Sequence, residues 1–176
     1  MSTVKKTTKK SQENTYEDIA NGHSIVMNNT FGWMQLFNEQ TNKKYPTLKK
    51  YAQTVRCFNS DVIDMMTNLS DLFTEAYVLI KNPELVDFLG LTETYKYVLF
   101  SEDEVDVLLS KSEAEITEFF NKAPRGQKAL LLKIVKVKTE RGDSVVDSSS
   151  KMAFLEKLFG VKYSDYYNEP QENLKR

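Results

Sequence analysis

In the segment VIDMMTNLSDLF (62–73), apolar side chains fall at Val62, Met65, Leu69 and Leu72, with Ile63, Met66 and Phe73 widening the stripe. Steps of three and four place such residues on one face of an α-helix. The spacing runs on in both directions through Leu48, Tyr51, Val55 and Phe58 upstream and Ala76 and Leu79 downstream. It predicts a helix over 47–81, a rod of roughly 50 Å at 1.5 Å per residue. The weak point is FNSD, where Asn59 and Ser60 could cap a second helix and split the rod. The flanking positions of the seam are unequal: Ala52, Met66, Phe73 and Ile80 lie on one side, Thr54, Asp61, Asn68 and Glu75 on the other. A two-stranded coiled coil needs charges on both flanks, so the lopsided stripe predicts the hub helix of a bundle, gripped by several neighbours. On that reading Leu69→Asp buries a charge in the core and prevents folding.

The neighbours are shorter helices separated by Pro46, Pro83, Pro124 and Pro170. Phe31, Trp33, Met34 and Phe37 after Thr30 predict a short amphipathic helix whose aromatics seal one end of the core. NPELVDFLG carries a cap at Asn82, Pro83 in the first turn and a stop at Gly90. TETYKYVLF continues as helix, although Tyr95, Tyr97 and Phe100 also suit a strand. SEDE (101–104) and SEAE (112–115) both spell the capping box, predicting helices over 102–110 and 113–122. Residues 122–141 form a further helix, with Leu130, Leu131, Ile134, Val135 and Val137 inward; IVKVKTERGDSVV offers a rival hairpin turning at Gly142 and Asp143. The last helix is capped near Ser148 or Ser149 and stopped at Gly160. The fold class predicted is all-α: a single-domain irregular helical bundle around a long central helix, with a possible small β-hairpin near 134–146. The bundle spans 15–166, between a disordered basic arm (1–14) and a polar tail (167–176).

FLEKLFGVKYSDYY (154–167) resembles the closing helix pair of small helix-turn-helix repressor domains, over 14 of 176 residues. In that family the stretch packs the core and does not read DNA. The upstream Gln-containing recognition segment has no counterpart. The other candidate turn, at Gly90, is followed by Glu93, Tyr95 and a lone Lys96, a poor set for reading base edges.

Composition narrows the function. With 24 basic and 25 acidic residues the net charge is −1, so no global field steers the chain to nucleic acid or anionic lipid. No apolar run approaches the roughly 20 residues of a membrane span, and the start MSTVKKTTKK lacks the apolar core of a signal peptide, so no membrane partner and a cytoplasmic setting are expected. The single cysteine, Cys57, reads as a small core filler, and with the single histidine, His23, it is too little for a zinc site. No metal or cofactor is expected. The acids of EDEVD have a helix-capping role available. No phosphate loop, nucleophile elbow or metalloprotease pair occurs, which argues against an enzyme. The RGD at 141–143 is no adhesion signal in a chain without a secretory segment.

One local charge feature stands out: Lys122, Arg125, Lys128, Lys133, Lys136, Lys138 and Arg141, offset mainly by Glu140. Either this is a solvated helix face or, with the arm lysines Lys5, Lys6, Lys9 and Lys10, a phosphate-tracking surface. The first is favoured, because no aromatic beside Arg125 and Gly126 can stack bases. Candidate nucleic-acid contacts are therefore Lys5, Lys6, Lys9, Lys10, Arg125, Lys128, Lys133 and Lys136. The expectation is a non-catalytic protein-interaction or assembly protein with a protein partner. By analogy with virion components that pair a helical body with a basic arm, it could be a viral structural or accessory component. The alternative is a nucleic-acid-binding regulator or packaging factor.

Overall fold

The computed structural model describes residues 16–146 and 148–163. Along the chain lie α1 (Tyr16–Ala20), β1 (His23–Asn28), β2 (Phe37–Asn38), β3 (Lys43–Lys44), β4 (Thr54–Phe58), α2 (Asn59–Asn68), α3 (Ser70–Thr74) and β5 (Val78–Ile80). They are followed by α4 (Pro83–Phe88), α5 (Thr92–Tyr95), α6 (Glu102–Leu109), α7 (Glu113–Lys122), α8 (Arg125–Arg141) and α9 (Ser149–Phe159).

The protein is not all-α. β1 runs antiparallel between β4 and β5 in a three-stranded sheet, and β2 pairs with β3 in a second, two-stranded one. The predicted 47–81 rod is a β-bridge at Leu48, a strand, two short helices and a strand. Its ten regular apolar positions mix two periodicities. Val55 and Phe58 alternate across a strand, Val62 and Met65 line a helix, and Leu79 returns to a strand. Ala52 and Ala76, at φ 60° and 56°, sit at left-handed turns that no continuous helix could contain. FNSD is indeed a break, with α2 starting at Asn59, but what precedes it is β4. Asn59 is held by burial: its Nδ2 donates to the Ile19 carbonyl at 2.8 Å and its Oδ1 accepts from Ser24 Oγ at 2.6 Å. Leu69 is the C-cap of α2, half-buried at the margin of the first core and not in the middle of a continuous seam.

The expected 30–37 helix is also absent. That segment is a loop bridged at Met34 to Leu48 and ending in β2. Nor is there a hairpin at 134–146: α8 runs to Arg141 and stops at Gly142 in the left-handed conformation. Bounds set by local chemistry match expectation. Asn82 caps α4 by accepting from the Glu84 and Leu85 amides, Ser101 caps α6, Ser148 caps α9, and Ser112 with Glu115 forms a full capping box on α7. At α6 the box is incomplete, because Glu104 accepts from the Phe100 amide at 2.7 Å instead of from Ser101. TETY is helical only as the short α5. The repressor-like stretch supplies Leu155 and Tyr163 to the core, and its residues beyond 163 lie outside the described residues.

Two main apolar cores result. The inner face of the sheet, with Val26, Cys57, Val78 and Ile80, packs with Val62, Met65, Phe73 and Leu85. The second core joins α6 to α9 through Leu109, Ile116, Leu131, Val135 and Leu155. A smaller cluster of Met27, Ala76, Leu79 and Val98 covers one end of the sheet's other face. The first residues of α8 plug into the turn before β5. The Gly126 amide donates to the Glu75 carbonyl at 2.7 Å, and buried Gln127 accepts from the Leu99 amide at 3.2 Å and from Asn29 at 3.3 Å.

Both edges of the sheet end on a tyrosine. Tyr45 accepts from the Phe58 amide at 3.1 Å on the β4 side, and Tyr95 accepts from the Ile80 amide at 2.8 Å on the β5 side. Tyr45 also donates to Asp61, which accepts from Lys43 at 2.9 Å and from Asn38 at 2.7 Å. This network pins the β2–β3 hairpin to the start of α2.

Candidate interaction surface

β1 ends in NNTFGW (28–33), and its polar residues turn inward while its aromatics turn out. Buried Asn28 accepts from both the amide (2.9 Å) and the hydroxyl (2.8 Å) of Thr30, and donates to the Gly32 carbonyl at 2.8 Å. Asn29 donates to the Ala76 carbonyl at 2.8 Å. Paired bonds between Met34 and Leu48, at 2.7 and 2.8 Å, close the far end. A loop so braced spends little entropy holding its side chains in place. It presents Trp33, 78% exposed, and Phe31, 42% exposed and stacked on Tyr51 with ring centroids 5.5 Å apart.

Beside this loop runs α8. A cavity of about 220 Å³ lies between them, lined by Asn29, Phe31, Gly126, Ala129 and Lys133. A second groove of about 420 Å³, lined by Leu132, Lys136, Val161 and Tyr163, flanks Lys133 on its other side. Phe31 and Lys133, about a hundred positions apart in the chain, thus share one concavity.

The predicted basic contacts are only partly brought together. Arg125 is exposed and 3.8 Å from Glu75; Lys136 is 3.8 Å from Glu140. Lys128 donates to the Asn121 carbonyl at 3.1 Å and lies 5.6 Å from the Phe120 ring. Lys133 is exposed, with no ion pair recorded among the described residues. Lys138 leaves the stripe altogether: it is buried, 2.8 Å from Asp106 and 3.0 Å from Asp143. Burial pushes its ammonium down, but the bonds to Asp106 and Asp143 outweigh this and hold it above the ordinary lysine value. Lys5, Lys6, Lys9 and Lys10 lie outside the described residues. Sequence reasoning missed Phe31 and Trp33 as surface groups. Phe31, far away in the chain, shares a concavity with Gly126 and Lys133, which adjacency in the sequence does not reveal.

Other reactive groups have structural surroundings. Burial pushes the Cys57 thiol up to about 12. His23 packs its ring 4.2 Å from that of Phe58. Burial also pushes the Asp61 carboxyl upward, but the hydrogen bonds from Tyr45, Lys43 and Asn38 outweigh it and hold the group below the usual carboxylate range. Among the described residues no three His, Cys, Asp or Glu are grouped to hold a metal ion, and no helix is long and apolar enough to cross a membrane.

No protein-family model, curated protein or solved structure matches the chain. The virion analogy rested on an all-helical body, which the mixed α/β fold replaces.

Proposed function

We propose that this is a non-catalytic binding protein that docks another protein through the Phe31–Trp33 loop and the adjoining face of α8. The supporting observation is Trp33, 78% exposed on a loop whose backbone is braced by buried asparagines. An exposed tryptophan on a rigid support, two residues from a Phe31 that shares a concavity with Lys133, has the composition of a binding hot spot, and pre-ordering lowers the entropy cost of association. The setting proposed is intracellular, which a chain with a single, buried cysteine suits. Nucleic-acid binding is the second reading, supported by Phe31 beside Lys133. It is less favoured because Arg125, Lys128 and Lys136 are each engaged within the chain.

Trp33 is the chain's single tryptophan, so its fluorescence reports on this loop directly. Affinity capture with wild type and with Phe31→Ala/Trp33→Ala should differ by about 30-fold or more in retained partner at unchanged helicity. Partner binding undiminished in the double variant would refute the reading. Salt-dependent quenching of Trp33 by single-stranded oligonucleotide would transfer the loop to nucleic acid.

A further inference from the structure

A groove of about 520 Å³ opens beside β5, walled by Pro83, Val86, Tyr95 and Phe100, with the exposed Lys81 and Lys96 along it. Its size is that of an ordinary small-molecule site, and its walls are apolar. We propose that it binds a small amphipathic carboxylate, an apolar chain ending in one anionic group.

Three observations define that ligand. Among the described residues that line the groove the charged ones are Lys81 and Lys96, with no carboxylate between them. Lys81 has no ion pair among the described residues, whereas Lys96 is already held by Glu93 at 2.6 Å. Tyr95 accepts from the Ile80 amide at 2.8 Å, and its own O–H has no recorded acceptor among the described residues. Burial pushes that phenol up to about 12, so it stays a neutral donor at physiological pH. An ammonium and a phenol on an apolar wall suit a carboxylate, which accepts from both. A cationic head would meet like charge, and a neutral one would leave Lys81 unused. A phosphate dianion would lack the Arg fork or run of backbone amides that usually receives it. The apolar walls take the chain.

The test is calorimetric titration of the full-length protein with decanoate, beside decanol and decyltrimethylammonium. Saturable binding of one decanoate is expected, about tenfold tighter than decanol, with none for the cation. Lys81→Glu, at an exposed position, should weaken decanoate at least tenfold with an unchanged melting curve. Thr92→Trp, at an exposed site on the rim, should block it. Decanol binding as tightly as decanoate, or an unchanged affinity in Lys81→Glu, would overturn the assignment. So would loss of binding in Trp33→Ala, which would place the ligand on the aromatic loop.

Discussion

Replacing Gly126 by alanine tests how the two halves of the fold are joined. A Cβ at this position would stand 2.6 Å from the Glu75 carbonyl oxygen and 2.7 Å from both the carbonyl carbon and oxygen of Ala76. That is about 0.7 Å inside ordinary contact, and the obstacle is backbone, which cannot swing aside as a side chain can. Either α8 or the 75–76 turn must retreat. Retreat stretches the Gly126 to Glu75 bond of 2.7 Å and disturbs the turn whose Ala76 carbonyl receives Asn29 at 2.8 Å. Overpacking costs about 1–3 kcal/mol and a weakened buried hydrogen bond about 1 kcal/mol. Alanine's better helix propensity offsets at most about 1 kcal/mol. With that offset taken in full the net loss is about 1–3 kcal/mol, a fall in Tm of roughly 2–12 °C for a domain of this size. Urea unfolding followed by circular dichroism measures it, with Gly90→Ala as comparator. Gly90 has φ +69° but nothing within 4 Å, so it should lose only about 1 kcal/mol. A Gly126→Ala protein as stable as wild type would mean that α8 does not rest on the Glu75–Ala76 backbone.

Asp61 has its folded carboxyl held below the unfolded value, so its contribution is full above about pH 4 and is lost as pH falls through the folded pKa. The urea midpoint of wild type should therefore fall in acid more steeply than that of Asp61→Asn, and parallel curves would contradict this. Lys138 works in the opposite direction, contributing fully below about pH 10 and losing its contribution as pH rises through its raised folded value. Lys138→Met should cost about 1–3 kcal/mol in thermal melts at neutral pH, discounted because Asp106 and Asp143 are partly exposed. Met65→Asp, at a site 2% exposed, should prevent folding, whereas Leu69→Asp, at a half-buried helix end, should give a folded protein with a cooperative melt. Failure of Leu69→Asp to fold would show that the packing of Leu69 on the first core is as essential as that of Met65.

Helix ends were legible because their determinants are local. Ser112 with Glu115, and Asn82 with the amides after Pro83, make their bonds within a few residues, and Gly90 and Gly160 supply left-handed stops. The strands were not legible. β5 is three buried residues, too short to alternate, and β1 finds its partners about 30 and 50 positions away. Between them, Leu48 to Leu79 kept a helical step only because short strands and short helices succeeded one another at compatible offsets. The aromatic loop misled for a related reason: Phe31, Trp33, Met34 and Phe37 have the spacing of a buried face, and apolarity does not distinguish display from burial. The useful signal was the neighbouring Asn28, Thr30 and Gly32, a turn-forming set in which the Asn28 and Thr30 side chains bond to one another and to the Gly32 backbone.

A sheet of three strands leaves two of its six strand edges unpaired, one on each outer strand, and each could template growth by another chain. Tyr45 and Tyr95 answer it with one oxygen each. A phenol accepts the outward amide as a foreign strand would, yet offers no ladder for a next residue to follow. The same two hydroxyls therefore complete the native hydrogen bonding and leave a foreign strand one amide fewer to pair with on each edge.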